Sequence, residues 1–420
     1  MISVGLDVSA IDPSFKSHAQ RGIGRYVTEL QRFFDSVSDP DVRVGHFDHA
    51  SLARDALVDK AVGLIPFGRT SVRQHVLYPS RLHSGVVGDF SLLHYPAHMD
   101  APARSSRPYV LTVLDLIPHV LKSLYQANKP GWRFKLARWL EVLSIRQATL
   151  LLAISETTAN DLVRVLNIPR ERIVVTPLGV DKSFFEVGRR RRQRTQVQRD
   201  ELRASLGIPL GRPIVLYVGG HDERKNIGVL VAVMRRVIDE AVSRGKEKPV
   251  LVLAGRVSTM EEQRRLSTIL QSHDMERDTV SLGYVQDAEL KDLYAESELF
   301  LFPSLYEGFG LPALEAMAAG VPVVASNASS LPEVVGDAGI LFDPLQVDDG
   351  VRGVVQVLFE SGVSERLSIE GELRARGFTW EQTGRLTLGG YKQAAELLTS
   401  TTRARGHRSC DAPLFDESRV

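Results

Sequence analysis

Cysteine is almost missing from this sequence. Its 420 residues include one, Cys410, in a polar C-terminal stretch, which excludes a disulfide within the chain and fits a reducing compartment. Excess charge is missing too. The 52 Lys and Arg face 51 Asp and Glu, and a formal net charge of +1 gives no global pull toward nucleic acid. No apolar run approaches the ~20 residues of a membrane span. The start, Met1-Ile2-Ser3-Val4-Gly5-Leu6-Asp7, lacks the charged and apolar zones of a signal peptide and reads as a first strand. A cytoplasmic protein is the expectation. No short-period repeat is present, which excludes a solenoid.

What is present is an ordinary globular composition, 43% hydrophobic and 25% charged, so most of the chain should fold. Its length suits two domains of roughly 150–200 residues. Between residues 213 and 342, near-continuous apolar runs alternate with helical patterns: Pro213–Val218, Val250–Ala254, Thr279–Leu282, Leu299–Pro303, Val321–Ala325 and Gly339–Phe342. Runs of that kind suit parallel strands covered on both faces, and the alternation predicts a doubly wound, Rossmann-like α/β domain. The first half repeats the theme at Ile2–Val8, Val42–Phe47, Ser91–Tyr95, Tyr109–Leu114, Thr149–Ile154 and Arg172–Thr176. Ser155 and Thr157 stand where a cap would start the next helix. The expected division is a first domain over 1–185, a basic polar linker over 186–211 and a second domain over 212–378. A C-terminal helix over 379–400 and a mobile polar tail over 401–420 complete it. The run Gly188–Arg194 reads as solvated charge.

The strongest chemical signal is the stretch from Pro303 to Met317, PSLYEGFGLPALEAM. A strand ends, a glycine loop turns, and a helix opens near Leu311, with Pro312 in the first turn where its missing N–H is harmless. The N–H groups of Phe309, Gly310 and Leu311 then form an anion site, and Gly308 and Gly310 let a ligand approach the main chain. Glu307 and Glu315 frame the loop. Beside a diphosphate they would accept hydrogen bonds from sugar or ribose hydroxyls, and Glu307 reads as an exposed cleft carboxylate. A second constellation, Gly219-Gly220-His221-Asp222-Glu223-Arg224-Lys225-Asn226, ends a strand with two glycines and puts two cations before a helix. Lys225 would serve a diphosphate as a point charge, and Arg224 as a fork.

Glu307 and Glu315, seven residues apart inside PSLYEGFGLPALEAMAAGVPVVAS, resemble the EX7E motif of the retaining GT-B glycosyltransferases of family 4. The resemblance continues through Asn327–Val334 and Gly339–Pro344. It implies two Rossmann-like domains facing across a cleft, with the nucleotide sugar on the second and the acceptor mainly on the first. On that resemblance Glu315 binds ribose, Glu307 the transferred sugar, Lys225 with Arg224 the leaving diphosphate, and Val285 the nucleobase through its backbone. Gly22 and Gly24, in Arg21-Gly22-Ile23-Gly24-Arg25-Tyr26, resemble the loop that brings N–H groups toward donor phosphate or acceptor. The sequence departs from relatives at Gly220, where many carry Arg, and at Leu114, where they commonly carry a His beside the reacting sugar. Asp115 remains as a catalytic candidate, and His119 is the alternative if the alignment slips. The VGG…RKN and NASSLPEV segments most resemble bacterial mannosyl- and rhamnosyltransferases of polysaccharide assembly. GDP-mannose is therefore the first expectation for the donor, with a UDP- or dTDP-sugar, or a non-catalytic nucleotide-sugar-binding subunit, as alternatives. No cofactor and no metal are expected, because no D-x-D pair stands at a strand end and a helix N-terminus with Lys225 meets the charge.

One segment admits two readings. From Lys129 to Arg146 the chain mixes cations with aromatics, and Trp132, Leu136, Trp139 and Leu143 recur at helical spacing. Flanked by Arg133, Lys135, Arg138 and Arg146, this stripe either packs on the first sheet or rests on an anionic membrane and brings the cleft to a lipid-linked saccharide.

Overall fold

A computed structural model describes residues 1–11, 22–48, 89–99, 101–103, 105, 107–122, 124, 131–257 and 259–410. Two six-stranded parallel sheets organise it. The first holds β1 (Ile2–Asp7), β2 (Val42–Phe47), β3 (Leu92–Tyr95), β4 (Tyr109–Val113), β5 (Leu150–Ala153) and β6 (Ile173–Val175), in the order β2-β1-β3-β4-β5-β6. The second holds β7 (Ile214–Val218), β8 (Val250–Ala254), β9 (Thr279–Gly283), β10 (Leu299–Phe302), β11 (Val323–Ser326) and β12 (Ile340–Phe342), in the order β12-β11-β10-β7-β8-β9. Every expected apolar run is thus a strand, and the central strands of each sheet are covered on both faces, whereas β2 and β9 at the edges keep exposed positions. All residues of β7, β8, β10 and β11 are buried. In such sheets ligands bind beyond the carboxyl ends of the strands, where the strand order reverses. That point lies between β7 and β10 in the second sheet, the two strands that carry the glycine loops.

The helix Trp380–Cys410 leaves the second domain and lies against the first, where Tyr391 and Ala394 share a core with Val4, Leu92, Val110, Leu150 and Leu152. Tyr391 donates or accepts at His94 Nδ1 (2.7 Å), and His94 Nε2 meets Thr112 Oγ1 (2.8 Å). Burial pushes His94 down to about 3, so the ring is neutral and offers one donor and one acceptor to the two hydroxyls. The helix continues to Cys410, beyond the expected end at residue 400.

Two expectations are corrected. Most of the stretch read as a solvated linker is helical, over Ser183–Gln193 and Gln196–Ser205. Two of its cations, Arg194 and Arg199, pair with Glu296, which is 1% exposed. The stripe on the helix Trp132–Gln147 does not pack on the sheet. Glu141, Ser144, Ile145 and Ala148 are buried instead, while Trp132, Leu136 and Trp139 are 69%, 43% and 60% exposed. Arg138 turns inward to pair with Glu141. Lys129, Pro130, Arg21 and the side chain of Arg133 lie outside the described residues.

Candidate active site

β10 delivers the chain to Pro303, and the loop that follows reaches the helix Leu311–Ala318 through Gly310, whose φ of 102° is a conformation that favours glycine. Among the described residues, the N–H groups of Phe309, Gly310 and Leu311 have no acceptor. Two serines fix the loop from the following segment. Ser329 Oγ accepts from Glu307 N (3.1 Å), and Ser330 Oγ donates to Glu307 O (2.9 Å). Sequence reasoning had not singled out these serines; their only signal was their place inside the NASSLPEV block.

β7 delivers the second loop. Arg224 and Lys225 lie on a short 3-10 turn, Glu223–Lys225, ended by Asn226 in the left-handed region. The two loops are tied together, with Leu305 N donating to Arg224 O (2.7 Å) and Asn226 Nδ2 donating to Pro303 O (3.2 Å). Lys225 Nζ consequently lies 2.6 Å from Glu307 Oε1 and 5.1 Å from the centre of the Phe302 ring, and Arg224 Nη1 lies 3.1 Å from Glu307 Oε2. Glu307 is 8% exposed, not the open cleft carboxylate expected. Burial alone would raise its pKa, but Lys225 and Arg224 outweigh burial and hold it below the usual carboxylate value. Burial likewise draws the Lys225 ammonium down, against the pull of Glu307. Gly219 N donates to Ala254 O (3.0 Å), and a Cβ on Gly220 would meet Asp222 Oδ2 at an ordinary contact distance of 3.6 Å.

The first domain closes over this cluster. A Cβ on Gly308 would lie 2.2 Å from Leu114 O and 3.2 Å from Asp115 Cβ. Gly308 therefore serves the approach of the other domain. Asp115 accepts from Ile117 N (3.1 Å) and is raised by burial, with Arg224 opposing and Glu307 reinforcing the rise. Burial lowers the His119 pKa, and the charges of Arg138 and Lys122 lower it further. Thr157 and Glu156, at the start of a helix capped by Ser155, donate their N–H groups to Glu333 of the second domain (2.7 and 2.8 Å).

Glu315 is 5% exposed and accepts from Tyr294 OH (3.3 Å) and from Arg25 Nη1 (2.6 Å). Arg25 Nη2 also reaches Asp287 Oδ2 (2.8 Å). Gly22, at φ 56°, and buried Gly24 begin the helix that aims Arg25 across the cleft. This pairing was invisible in the sequence, where Arg25 was only a neighbour of two glycines. Val285 is buried at the β9 end, after Gly283. Among the described residues, no group of three His, Cys, Asp or Glu could hold a metal ion, and no helix is long and apolar enough to cross a membrane.

The chain is similar to known proteins. The family profile "Glycosyltransferase Family 4" matches residues 20–184, and "Glycosyl transferases group 1" matches residues 198–374. The O-antigen chain mannosyltransferase B of Escherichia coli is 35% identical over 249 residues, which are 59% of this chain and 62% of that protein. This chain thus spans less than two thirds of that relative. The MMP alpha-(1->4)-mannosyltransferase of Mycolicibacterium hassiacum is 30% identical over 334 residues, covering 76% of this chain and 74% of the other. The Anabaena protein HepE, solved in complex with UDP-glucose, superposes with a TM-score of 0.63 over 95% of this chain and 100% of its own. At 17% identity that likeness speaks for the fold alone.

Proposed function

Since the chain belongs to the family 4 glycosyltransferases and has their GT-B fold, we propose that it moves a hexosyl residue from a nucleotide sugar to a saccharide acceptor, with retention at the anomeric carbon. The observation that carries this reading is the convergence of Lys225, Arg224 and Glu307 beside the open N–H edge of the Leu311 helix. A diphosphate on that edge meets two cations and a helix N-terminus, and a sugar beyond it meets Glu307 through a hydroxyl. Glu315 takes the ribose. As the bond from anomeric carbon to phosphate oxygen breaks, the acceptor oxygen attacks from the same face, and its proton passes to the departing phosphate oxygen. Lys225, Arg224 and the helix N–H groups stabilise the growing charge, so no divalent ion is required. Asp115, whose pKa burial raises while Lys225 and Arg224 hold that of Glu307 down, orients the acceptor hydroxyl.

For the donor we commit to GDP-mannose, supported by two relatives named as mannosyltransferases; UDP- and dTDP-sugars are the competitors in the test. The acceptor in this reading is a lipid-linked saccharide. The exposed face of Trp132, Leu136 and Trp139, with exposed Lys135 and Arg146 near it, supports peripheral contact with an anionic membrane. A thermal-shift panel of nucleotide sugars, followed by transfer and NMR of the product's anomeric configuration, tests the proposal. A stabilising GDP-mannose and an α-linked product support it. Stabilisation by no nucleotide sugar, or an inverted product, would sink it.

A further inference from the structure

A second opening lies beside the donor cluster. It encloses about 750 Å3, well inside the roughly 300–1,000 Å3 typical of ligand pockets. Its walls come from both domains: Leu124 and Phe134 from the first, and from the second the loop His221–Arg224 and the helix Met260–Ser272 with its capping Thr259. Arg224 belongs to this wall and also binds Glu307, so the cavity ends where the transferred sugar is proposed to sit. The nucleobase and ribose residues, Val285 and Glu315, are not among its walls.

The chemistry of the lining is specific. His221 is 6% exposed, and neither ring nitrogen has a hydrogen-bond partner. A buried imidazole with two unmet nitrogens lacks the partners that buried polar groups ordinarily have. Burial lowers its pKa, with Glu262 and Asp222 pulling the other way, so the ring is neutral and offers one N–H donor and one acceptor. A sugar hydroxyl both donates and accepts, and satisfies either nitrogen. A phosphate only accepts, and leaves one nitrogen bare. Four carboxylates, Asp222, Glu223, Glu261 and Glu262, stand against three guanidinium groups, Arg224, Arg264 and Arg265, which disfavours a polyanion and suits neutral hydroxyls. The Phe134 ring adds an apolar face.

We propose that this interdomain cavity is a subsite for a neutral saccharide, the sugar residues of the acceptor, held by His221, Thr259, Glu262, Arg264 and Phe134. The acceptor's specificity then comes from the second domain as well as the first. The assignment to the acceptor rests on the transferase reading; the assignment to a saccharide rests on the lining.

Saturation-transfer NMR on the full chain tests it, with mannobiose, cellobiose and lactose as probes. Two variants accompany the wild type. Thr268→Trp, at an exposed position on the rim, fills the cavity, and His221→Phe keeps the ring but removes both nitrogens. At least one disaccharide should bind the wild type, and each variant should weaken it at least about tenfold. Thermal shifts by GDP and UDP should be unchanged in Thr268→Trp, which also certifies its fold. Failure of every disaccharide to bind, or binding indifferent to Thr268→Trp, overturns the proposal. So does loss of the nucleotide shift in that variant, since the cavity would then belong to the donor. Absence of transfer from every nucleotide sugar would defeat the activity reading alone and leave saccharide binding standing.

Discussion

Lys225 Nζ and Glu307 Oε1 stand 2.6 Å apart, with their side chains only 8% and 10% exposed. These are the two charges that the family resemblance assigns to opposite ends of the donor, one to the diphosphate and one to the sugar. Without a donor they neutralise each other, and a bound diphosphate must compete for the ammonium.

Glu307→Gln should therefore alter stability as well as rate. Removing the carboxylate leaves Lys225 buried without its counter-charge and Arg224 with Asp222 alone, at roughly 3–5 kcal/mol in the ligand-free protein. Transfer should fall by about 100-fold or more. Calorimetry with and without GDP checks this: the diphosphate replaces the lost negative charge, so GDP should raise Tm further in the variant than in wild type. An equal shift in both proteins would contradict the pairing.

Lys225→Met should cost less stability, because Arg224 still faces Glu307, while transfer falls further than in Arg224→Ala. Excess chelator should change neither the wild-type rate nor donor affinity. Strict dependence on a divalent ion in steady-state assays would refute the charge argument.

Gly308 and Gly220 should respond in opposite ways. Alanine at 308 places a Cβ 2.2 Å from Leu114 O, so the loop and the first domain must separate; alanine at 220 meets nothing closer than 3.6 Å. Gly308→Ala should lose transfer while its circular dichroism remains that of a folded protein, and Gly220→Ala should stay within severalfold of wild type. Equal rates for the two variants would show that the domains do not meet at this loop during turnover.

The Arg25–Glu315 pair joins residues 290 apart in sequence and on different domains. A double-mutant cycle of Arg25→Gln and Glu315→Gln, read by urea unfolding, should give a coupling of about 1.5–3 kcal/mol. Coupling near zero would mean that the pair does not hold the domains together in solution.

Acid should loosen the C-terminal helix through His94. Its pKa in the folded protein, about 3, lies below the ordinary 6.5, so the unfolded chain binds a proton that the native ring refuses. This stability is fully present above about pH 6.5 and is lost as pH falls toward 3, by at most about 1.4 kcal/mol per pH unit. Urea midpoints measured from pH 7 to 4.5 should fall accordingly, and His94→Gln should flatten that component. An unchanged pH slope in the variant would place the titration elsewhere.

The sequence by itself determined the twelve strands, the two glycine loops and the helix start at Leu311, because each is written in neighbouring residues. A run such as Val250–Ala254 has no polar side to show to water, and Pro312 after Gly310 leaves few other conformations. Tertiary structure alone decided what these parts face. Glu307 became a buried partner of Lys225 because two loops from β7 and β10 are hydrogen-bonded to each other. Gly308 proved to be an interdomain contact because Leu114 comes from the opposite sheet. The stripe of Trp132, Leu136 and Trp139 shows why periodicity stops short. Helical spacing says which side chains share a face, but only the docking of Ile145 and Ala148 onto the first domain decided that this face would meet solvent.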